Sequence, residues 1–566
     1  MAPSAAALRA LALCAAGAGG AFAGAGAVAA PLEAVALELR ADGSRVFADA
    51  SGRQRIFHGT NAVVKGPPWH PDSRSFSPDI SMSAEDFEWM QKLGLNLLRL
   101  GVMWPGVEPV RGSYNDTYLD EIERIVELAA ASGVYTILDM HQDGLSEHYC
   151  GEGLPIWAVT HTRRKWVDEI EDWVFDGEAF PSPFSHFDKR IDFYTETRLP
   201  GSPRLPTRHA CKVHYEGPGW HEVTKEAANA YQALWSNVDG IADAWAAMWA
   251  KVATRFGRKP SVLGLELINE PFAGDLYHDP LIMAPYPNPH NADHTNLQPA
   301  YDRINAAVRA VDKDVLLFFG GVTWDDLGAG FSAVPGGKEF ANRSVLAFHY
   351  YEPPQKSISL QFGAQAGAAR RLGCAAFLTE TESPGPDKAT PGHFERPGGV
   401  GDGADSALQH WVGWEWKTFF RRASDATNIS QLDEWGAGKT GTGRAEFFTP
   451  AGPVQLFQSA NARTYARAVA GHAVSMFFNV TSSDFELQYD IVDGAPTAPT
   501  EIYLWPERYP NGADVSASAS WGAVRVDFDG RNRVLVHPAA GLERGSRVVV
   551  TIRNKPAEGD GLQVLV

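Results

Sequence analysis

The chain has 566 residues, 44% of them apolar, and 68 acidic side chains against 50 basic ones, for a formal charge of −18. That is more chain than one ordinary domain uses, with ample apolar material for a core. The negative balance argues against nucleic acid and against docking on anionic membranes, since both partners require clustered Lys and Arg.

Residues 1–30 read as a secretory signal peptide. Arg9 is their only charge, Leu11 to Ala16 form a short apolar core, and Ala21-Phe22-Ala23 or Ala27-Val28-Ala29 offers a small-residue cleavage site. Spanning a bilayer takes about 20 apolar residues, and no segment of the chain supplies them. A soluble, exported protein is therefore expected, either secreted or in the lumen of the secretory and lysosomal pathway. Four Asn-x-Ser/Thr sequons, at Asn115, Asn342, Asn428 and Asn479, are candidate glycan sites in such a protein. Cys14 departs with the signal, and Cys374 is expected to be a buried free thiol. Cys150 and Cys211 flank a loop-rich insertion, where an exported chain permits a disulfide; three free thiols are the alternative.

From about residue 40 to 460, short apolar strands alternate with helical stretches, the pattern of a parallel sheet with helical crossovers. Eight strands are expected. Arg55–Asn61, Leu95–Leu100, Tyr135–His141 and Val262–Glu270 come first; Val315–Phe319, Val345–Tyr351, Ala375–Thr381 and Trp411–Trp414 follow. Helical patterns such as Tyr118–Ala131 and Ala242–Phe256 lie between them. The architecture implied is an α/β fold, a closed (β/α)8 barrel with its site at the C-terminal strand ends. Residues 144–230 form an oversized insertion rich in aromatics, among them Trp157, Trp166, Trp173, Phe180, Phe184, Phe187 and Phe193, expected to wall the substrate groove. Pro384–Asp405 is expected to be a second long loop on that face, and Gly436–Gly443 a flexible break. A helix-like stretch, Gln458–Ala470, leads into six short alternating runs without helices, which read as a C-terminal antiparallel β-sandwich packed on the barrel without a linker. The domains expected are the signal at 1–30, the barrel at 31–466 and the sandwich at 467–566.

Polar residues recur where the barrel strands end. Glu270 and Glu380, 110 positions apart, offer the two carboxylates that glycosidic bond cleavage needs. Arg99 can hold a carboxylate in its ionised form, and Asn269 can hydrogen-bond a sugar 2-hydroxyl. His141, Gln142 and Asp143 end the third strand; His349 and Tyr351 end the sixth on one side; Trp414 or Trp416, with Trp414 preferred, can stack under a pyranose ring. His290 and His294 are spaced for a metal but lie in a Pro- and Asn-rich loop, so neither metal nor cofactor is expected.

This set, Arg, His, Asn-Glu, His-x-Tyr, Glu and Trp in strand order, resembles the retaining glycosidases of glycoside hydrolase family 5. The resemblance implies that Glu270 is the general acid/base and Glu380 the nucleophile. A narrower resemblance, to endoglycoceramidases and related glycosylceramidases, is carried by the loops. Its motifs are Asn61-Ala62-Val63-Val64-Lys65-Gly66-Pro67-Pro68, Asp139-Met140-His141-Gln142-Asp143, Cys150-Gly151-Glu152-Gly153-Leu154-Pro155 and Phe180-Pro181-Ser182-Pro183-Phe184. It implies that Lys65 and Asp143 bind sugar hydroxyls, and that the partner is a glycosphingolipid or other β-glucoside, with transient contact to a lipid aglycone and a monomeric enzyme. Two features depart from the pattern: Thr381-Glu382 where the family commonly has Phe-Gly, and the charged Arg163-Arg164-Lys165 in the insertion. The other readings are a β-1,4-glucan or other polysaccharide hydrolase of the same family and a non-catalytic glycan-binding protein.

Overall fold

The computed structural model describes residues 31–149, 151–159, 225–283, 289–323, 328–352, 355, 357–382, 394, 397–417, 419, 448–492, 498–528, 532–538 and 541–555. The signal segment, most of the 144–230 insertion including Trp166, Trp173, Phe180, Phe184, Phe187 and Phe193, Cys150, Cys211, Asn428 and the Gly436–Gly443 break lie outside these residues.

Among the described residues, eleven strands precede residue 415. They are β1 (Val35–Leu39), β2 (Arg45–Asp49), β3 (Gln54–Arg55), β4 (His58–Ala62), β5 (Leu97–Gly101), β6 (Tyr135–Asp139), β7 (Val262–Glu266), β8 (Leu317–Gly320), β9 (Ser344–Tyr350), β10 (Ala375–Glu382) and β11 (Trp411–Trp414). The last eight close into a parallel barrel in the order β10-β11-β4-β5-β6-β7-β8-β9, as expected. Parallel strands buried on both faces need near-continuous apolar runs, and β5, β6 and β7 are buried at every position. The expected helices form at Asp116–Ala131, where the Asn115 side chain accepts the Tyr118 N–H, and at Ile241–Phe256.

Alternation of side chains sorts the barrel interior into two storeys. The lower one is apolar, with Phe57, Leu97, Ile137, Leu263, Phe318, Ala347, Phe377 and Val412 in one buried cluster. Gly264 belongs there because a Cβ would meet the Phe318 ring at 2.4 Å. Two residues further along the same strands stand Arg99, Asp139, His349 and Trp414, with Asn61 four beyond Phe57. The period of two thus lifts polar groups to the mouth of a barrel whose floor is sealed.

Two elements were not expected. β1 and β2 form an antiparallel hairpin whose Phe47, wholly buried, meets Phe57, Phe377 and His410 at ring separations of 5.7, 5.6 and 4.8 Å and closes the lower end of the barrel. That hairpin and β3 also continue the C-terminal sheet. A short hairpin, β12 (Phe448–Thr449) and β13 (Gly452–Pro453), leads to β14 (Tyr465–Val469), β15 (His472–Phe478), β16 (Phe485–Asp490), β17 (Thr500–Tyr503), β18 (Ala513–Ala519), β19 (Val524–Phe528), β20 (Arg533–Pro538) and β21 (Arg547–Asn554). They form two antiparallel sheets, β1-β2-β3-β14-β17-β20-β19 and β15-β16-β21-β18. The antiparallel sheets are the expected ones, with β18 unforeseen because Ala and Ser carry little strand signal.

Where the reading placed a continuous helix-like Gln458–Ala470, the helix Gln455–Asn461 stops and β14 begins, so the 466/467 division falls inside a strand. Tyr465 of β14 donates to the Gly94 carbonyl at 2.7 Å, and Tyr503 of β17 to that of Lys92 at 2.7 Å, which fastens this sheet to the barrel. The expected loop 384–405 contains a helix, Val400–Ser406. Cys374 is buried with its thiol pushed up to about 12 by burial. Among the described residues no helix is long and apolar enough to cross a membrane.

Candidate active site

The upper storey gathers around Arg99, which has no solvent exposure. Its guanidinium donates to Glu266 at 2.7 and 3.1 Å, to Asn61 at 3.0 Å, to Asn269 at 2.9 Å and to Glu380 at 3.1 Å, and it pairs with Asp139 at 3.1 Å. Burial alone would lower its pKa, but Asp139, Glu266 and Glu380 together raise it. Burial, and then Asp139, push the Glu266 carboxyl up against the pull of Arg99.

Glu380 is aimed by an irregularity in β10. Leu378 pairs with Phe348 and Glu380 with His349, so one extra residue is accommodated between them. Strict alternation would point Thr379 and Glu380 to opposite faces. The bulge turns both into the mouth, where the Thr379 hydroxyl donates to Glu266 at 2.9 Å and Tyr351 donates to Glu380 at 2.7 Å.

Glu270 does not end a strand, contrary to expectation. β7 stops at Glu266, and Glu270 follows four residues later with φ +40°, a left-handed conformation uncommon for a residue with a side chain. His349 Nδ1 lies 2.7 Å from Glu270 Oε1 and 3.9 Å from Glu380 Oε1. Burial on its own would lower the His349 pKa; Glu380 and Glu270 outweigh it and raise it. One oxygen of each carboxylate and one ring nitrogen of His349 lie within 4.8 Å of one another.

The opposite wall of the mouth is a chain of alternating charges. Lys65 donates to Asp143 and lies 3.2 Å from Glu152; His141 sits between Asp139 at 2.8 Å and Asp143 at 3.4 Å. Trp414, half-buried, stacks on His141 at 5.0 Å and 15°, with the Lys65 ammonium 4.9 Å from its ring. Trp416 is instead fully buried and donates to Asp86 at 2.9 Å, so Trp414 is the tryptophan at the mouth. Burial would raise the Asp143 carboxyl, but Lys65 and His141 hold it well below the usual range. Glu152 is pushed well above that range, first by burial.

Burial would lower the His141 imidazole too, yet its hydrogen bonds to Asp139 and Asp143 bring it up to about 10. A folded-state pKa above the unfolded value contributes stability that is complete below about 6.5 and is lost as the pH rises through about 10. Denaturant titrations of the parent between those pH values should therefore show falling stability, and His141→Gln should flatten the slope. Equal slopes would refute the assignment.

All ten residues singled out in the sequence, Lys65, Arg99, His141, Asp143, Asn269, Glu270, His349, Tyr351, Glu380 and Trp414, meet in this mouth. Sequence reasoning missed Asn61, Asp139, Glu152 and Glu266 as members. Asp139 and Glu266 each stand two positions above an interior apolar or glycine residue, and that period was the available signal.

Known proteins resemble the chain along nearly its whole length. The sequence profile of the cellulase family (glycosyl hydrolase family 5) matches residues 49–186 and 211–420, and that of the glycoside hydrolase family 5 C-terminal domain matches 463–552. An endoglycoceramidase of Cyanea nozakii is 37% identical over 511 residues, 89% of this chain and 91% of that protein. One of Hydra vulgaris is 38% identical over 471 residues, 83% of this chain and 81% of that protein. The solved structure of endo-glycoceramidase II from Rhodococcus sp. shares the fold with a TM-score of 0.60 at 23% identity, covering 90% of this chain and 99% of its own.

Proposed function

Since the chain belongs to glycoside hydrolase family 5, among the relatives of endoglycoceramidases, we propose that it is a retaining β-glycosidase that cleaves the β-glucosyl-ceramide linkage of glycosphingolipids. The observation that carries this reading is the approach of Glu270 and Glu380, with carboxylate oxygens within 4.8 Å. Retention uses carboxyl groups about 5–5.5 Å apart, whereas inversion needs about 6.5–9.5 Å to admit water.

In the first step Glu380, oriented by Arg99 and Tyr351, forms a bond to the anomeric carbon while Glu270 gives its proton to the departing ceramide oxygen. In the second, Glu270 takes a proton from water, whose oxygen displaces Glu380 from the sugar. Lys65, His141, Asp143 and Trp414 offer hydroxyl partners and a stacking face for the glucose, and Asn269, fixed by Arg99, faces its 2-hydroxyl. A pocket that Glu270, His349 and Tyr351 themselves help to line, continued by Ile268, Val322 and Phe348, shares no residue with that sugar wall and is assigned to the aglycone. Barrel and sandwich, divided near 466, act as one unit exported through the secretory pathway, with Asn342 the most exposed sequon among those described.

Glucosylceramide, a ganglioside and cellulose oligomers, each incubated with the purified enzyme, test the reading. Free ceramide and a glycan first released as the β-anomer are expected. An α-anomer first, or cleavage of the cellulose oligomers alone, would overturn it; the latter result would favour the polysaccharide hydrolase that the cellulase profile suggests. Glu270→Gln should lower kcat/KM on ceramide glycosides by about 10²–10⁴-fold, yet spare dinitrophenyl glycosides, whose leaving group needs little acid assistance.

A further inference from the structure

A strand ladder would ordinarily hold the backbone carrying an acid, but β7 ends before Glu270. Side chains take over. Gln142, buried, donates both hydrogens of its amide, one to the Asn269 carbonyl at 2.8 Å and one to the Glu270 carbonyl at 2.8 Å. Its own amide oxygen accepts the Tyr231 hydroxyl at 2.6 Å and the Leu145 N–H at 2.9 Å. The helix Lys225–Trp235, which carries Tyr231, continues the grip: Trp235 donates to the Phe272 carbonyl at 3.0 Å and Gln232 accepts the Asp275 N–H at 3.3 Å. Asn296 holds the Ala273 carbonyl at 2.7 Å.

We infer that Gln142 and Tyr231 are positioning residues that set the acid/base Glu270 against the glycosidic oxygen; the inference rests on the role proposed for Glu270. A left-handed backbone at a residue with a side chain persists only where its surroundings over-determine it, and here a single primary amide supplies two of the constraints. Only Gln or Asn carries two donors and an acceptor on one neutral group, and the longer Gln spans from the 141–143 segment to the 269–270 backbone. The same segment serves both halves of the site, with His141 and Asp143 on the sugar wall and Gln142 beneath the acid. A displacement of about 1 Å in a reacting group can cost on the order of 10²-fold in rate, so the effect is large enough to read.

The experiment compares Tyr231→Phe and Gln142→Met with the parent and with Glu270→Gln, measuring kcat/KM on an alkyl β-glycoside and on its dinitrophenyl counterpart, together with Tm. Loss of positioning should raise the dinitrophenyl-to-alkyl ratio at least tenfold in both variants, in the direction of Glu270→Gln, since only the alkyl leaving group depends on a correctly placed proton. Equal losses on both substrates, with the ratio unchanged while Glu270→Gln raises it, would show a merely structural role and overturn the inference. An unchanged ratio in Glu270→Gln itself would overturn the acid/base reading instead. Tyr231→Phe removes one oxygen and keeps the ring, so it reports on the clamp if Gln142→Met fails to fold.

Discussion

Glu380→Gln is expected to reduce turnover by on the order of 10⁴-fold or more on every glycoside, good leaving groups included, because removal of a nucleophile is not relieved by an easier departure. The amide is isosteric and keeps one acceptor oxygen for Arg99, while its NH2 can donate to the Tyr351 hydroxyl once that group reverses its role, so Tm should stay close to that of the parent. A 2-deoxy-2-fluoro glycoside with an activated leaving group should add one glycosyl mass to the parent, located on the peptide that contains Glu380, and none to the variant. Label found on Glu270 instead would exchange the two roles. An unlabelled parent that still hydrolyses natural substrate with inversion would remove the covalent mechanism altogether.

The second large effect is on stability. Arg99 stands among Asp139, Glu266 and Glu380 with no solvent near it. Replacing it by Met deletes the one cation that these three carboxylates share, and an uncompensated buried charge costs about 3–5 kcal/mol. Denaturant unfolding at neutral pH should register a loss of that size, along with activity. The sign of its pH dependence follows from Glu266, which burial already raises against the pull of Arg99. Without that pull its folded pKa lies further above the unfolded one, so the destabilisation is complete above the raised value and fades as the pH falls toward about 4. An Arg99→Met protein as stable as the parent at neutral pH would mean that the network is not held by this charge. Arg99→Lys should recover only part of the loss, since an ammonium lacks the fork that reaches Glu266 at two points.

The eight barrel strands were legible because parallel strands buried on both faces must be written as apolar runs, and some of them end on a residue no core would choose, as β6 does at Asp139 and β7 at Glu266. Of the two glutamates proposed as the catalytic pair, Glu380 was legible for the same reason, and Glu270 from the Asn-Glu-Pro step that follows β7. Sequence preferred Trp414, which ends the eighth strand, to Trp416 two residues on; only packing shows why, burying Trp416 against Asp86, Phe448 and Phe457 and leaving Trp414 at the mouth. Val35–Asp49 was missed as a hairpin although its ladder is local; what buries it is distant, since the adjoining β3 pairs with β14 and Phe47 packs on Phe57 and Phe377 at the barrel floor.

By itself the sequence determined the barrel and the antiparallel C-terminal sheets, which depend on local period, and it offered the two carboxylates as candidates, Glu380 on β10 and Glu270 four residues past the end of β7. Tertiary structure alone decided how those carboxylates are aimed. The bulge that turns Glu380 inward depends on register with β9, and the left-handed turn that presents Glu270 depends on an amide from Gln142 and a helix beyond the insertion. Charge in the site was divided between the two levels: Glu266 takes its shift from burial and from Arg99 and Asp139 on other strands, whereas His141 is raised against burial by Asp139 and Asp143 of its own segment.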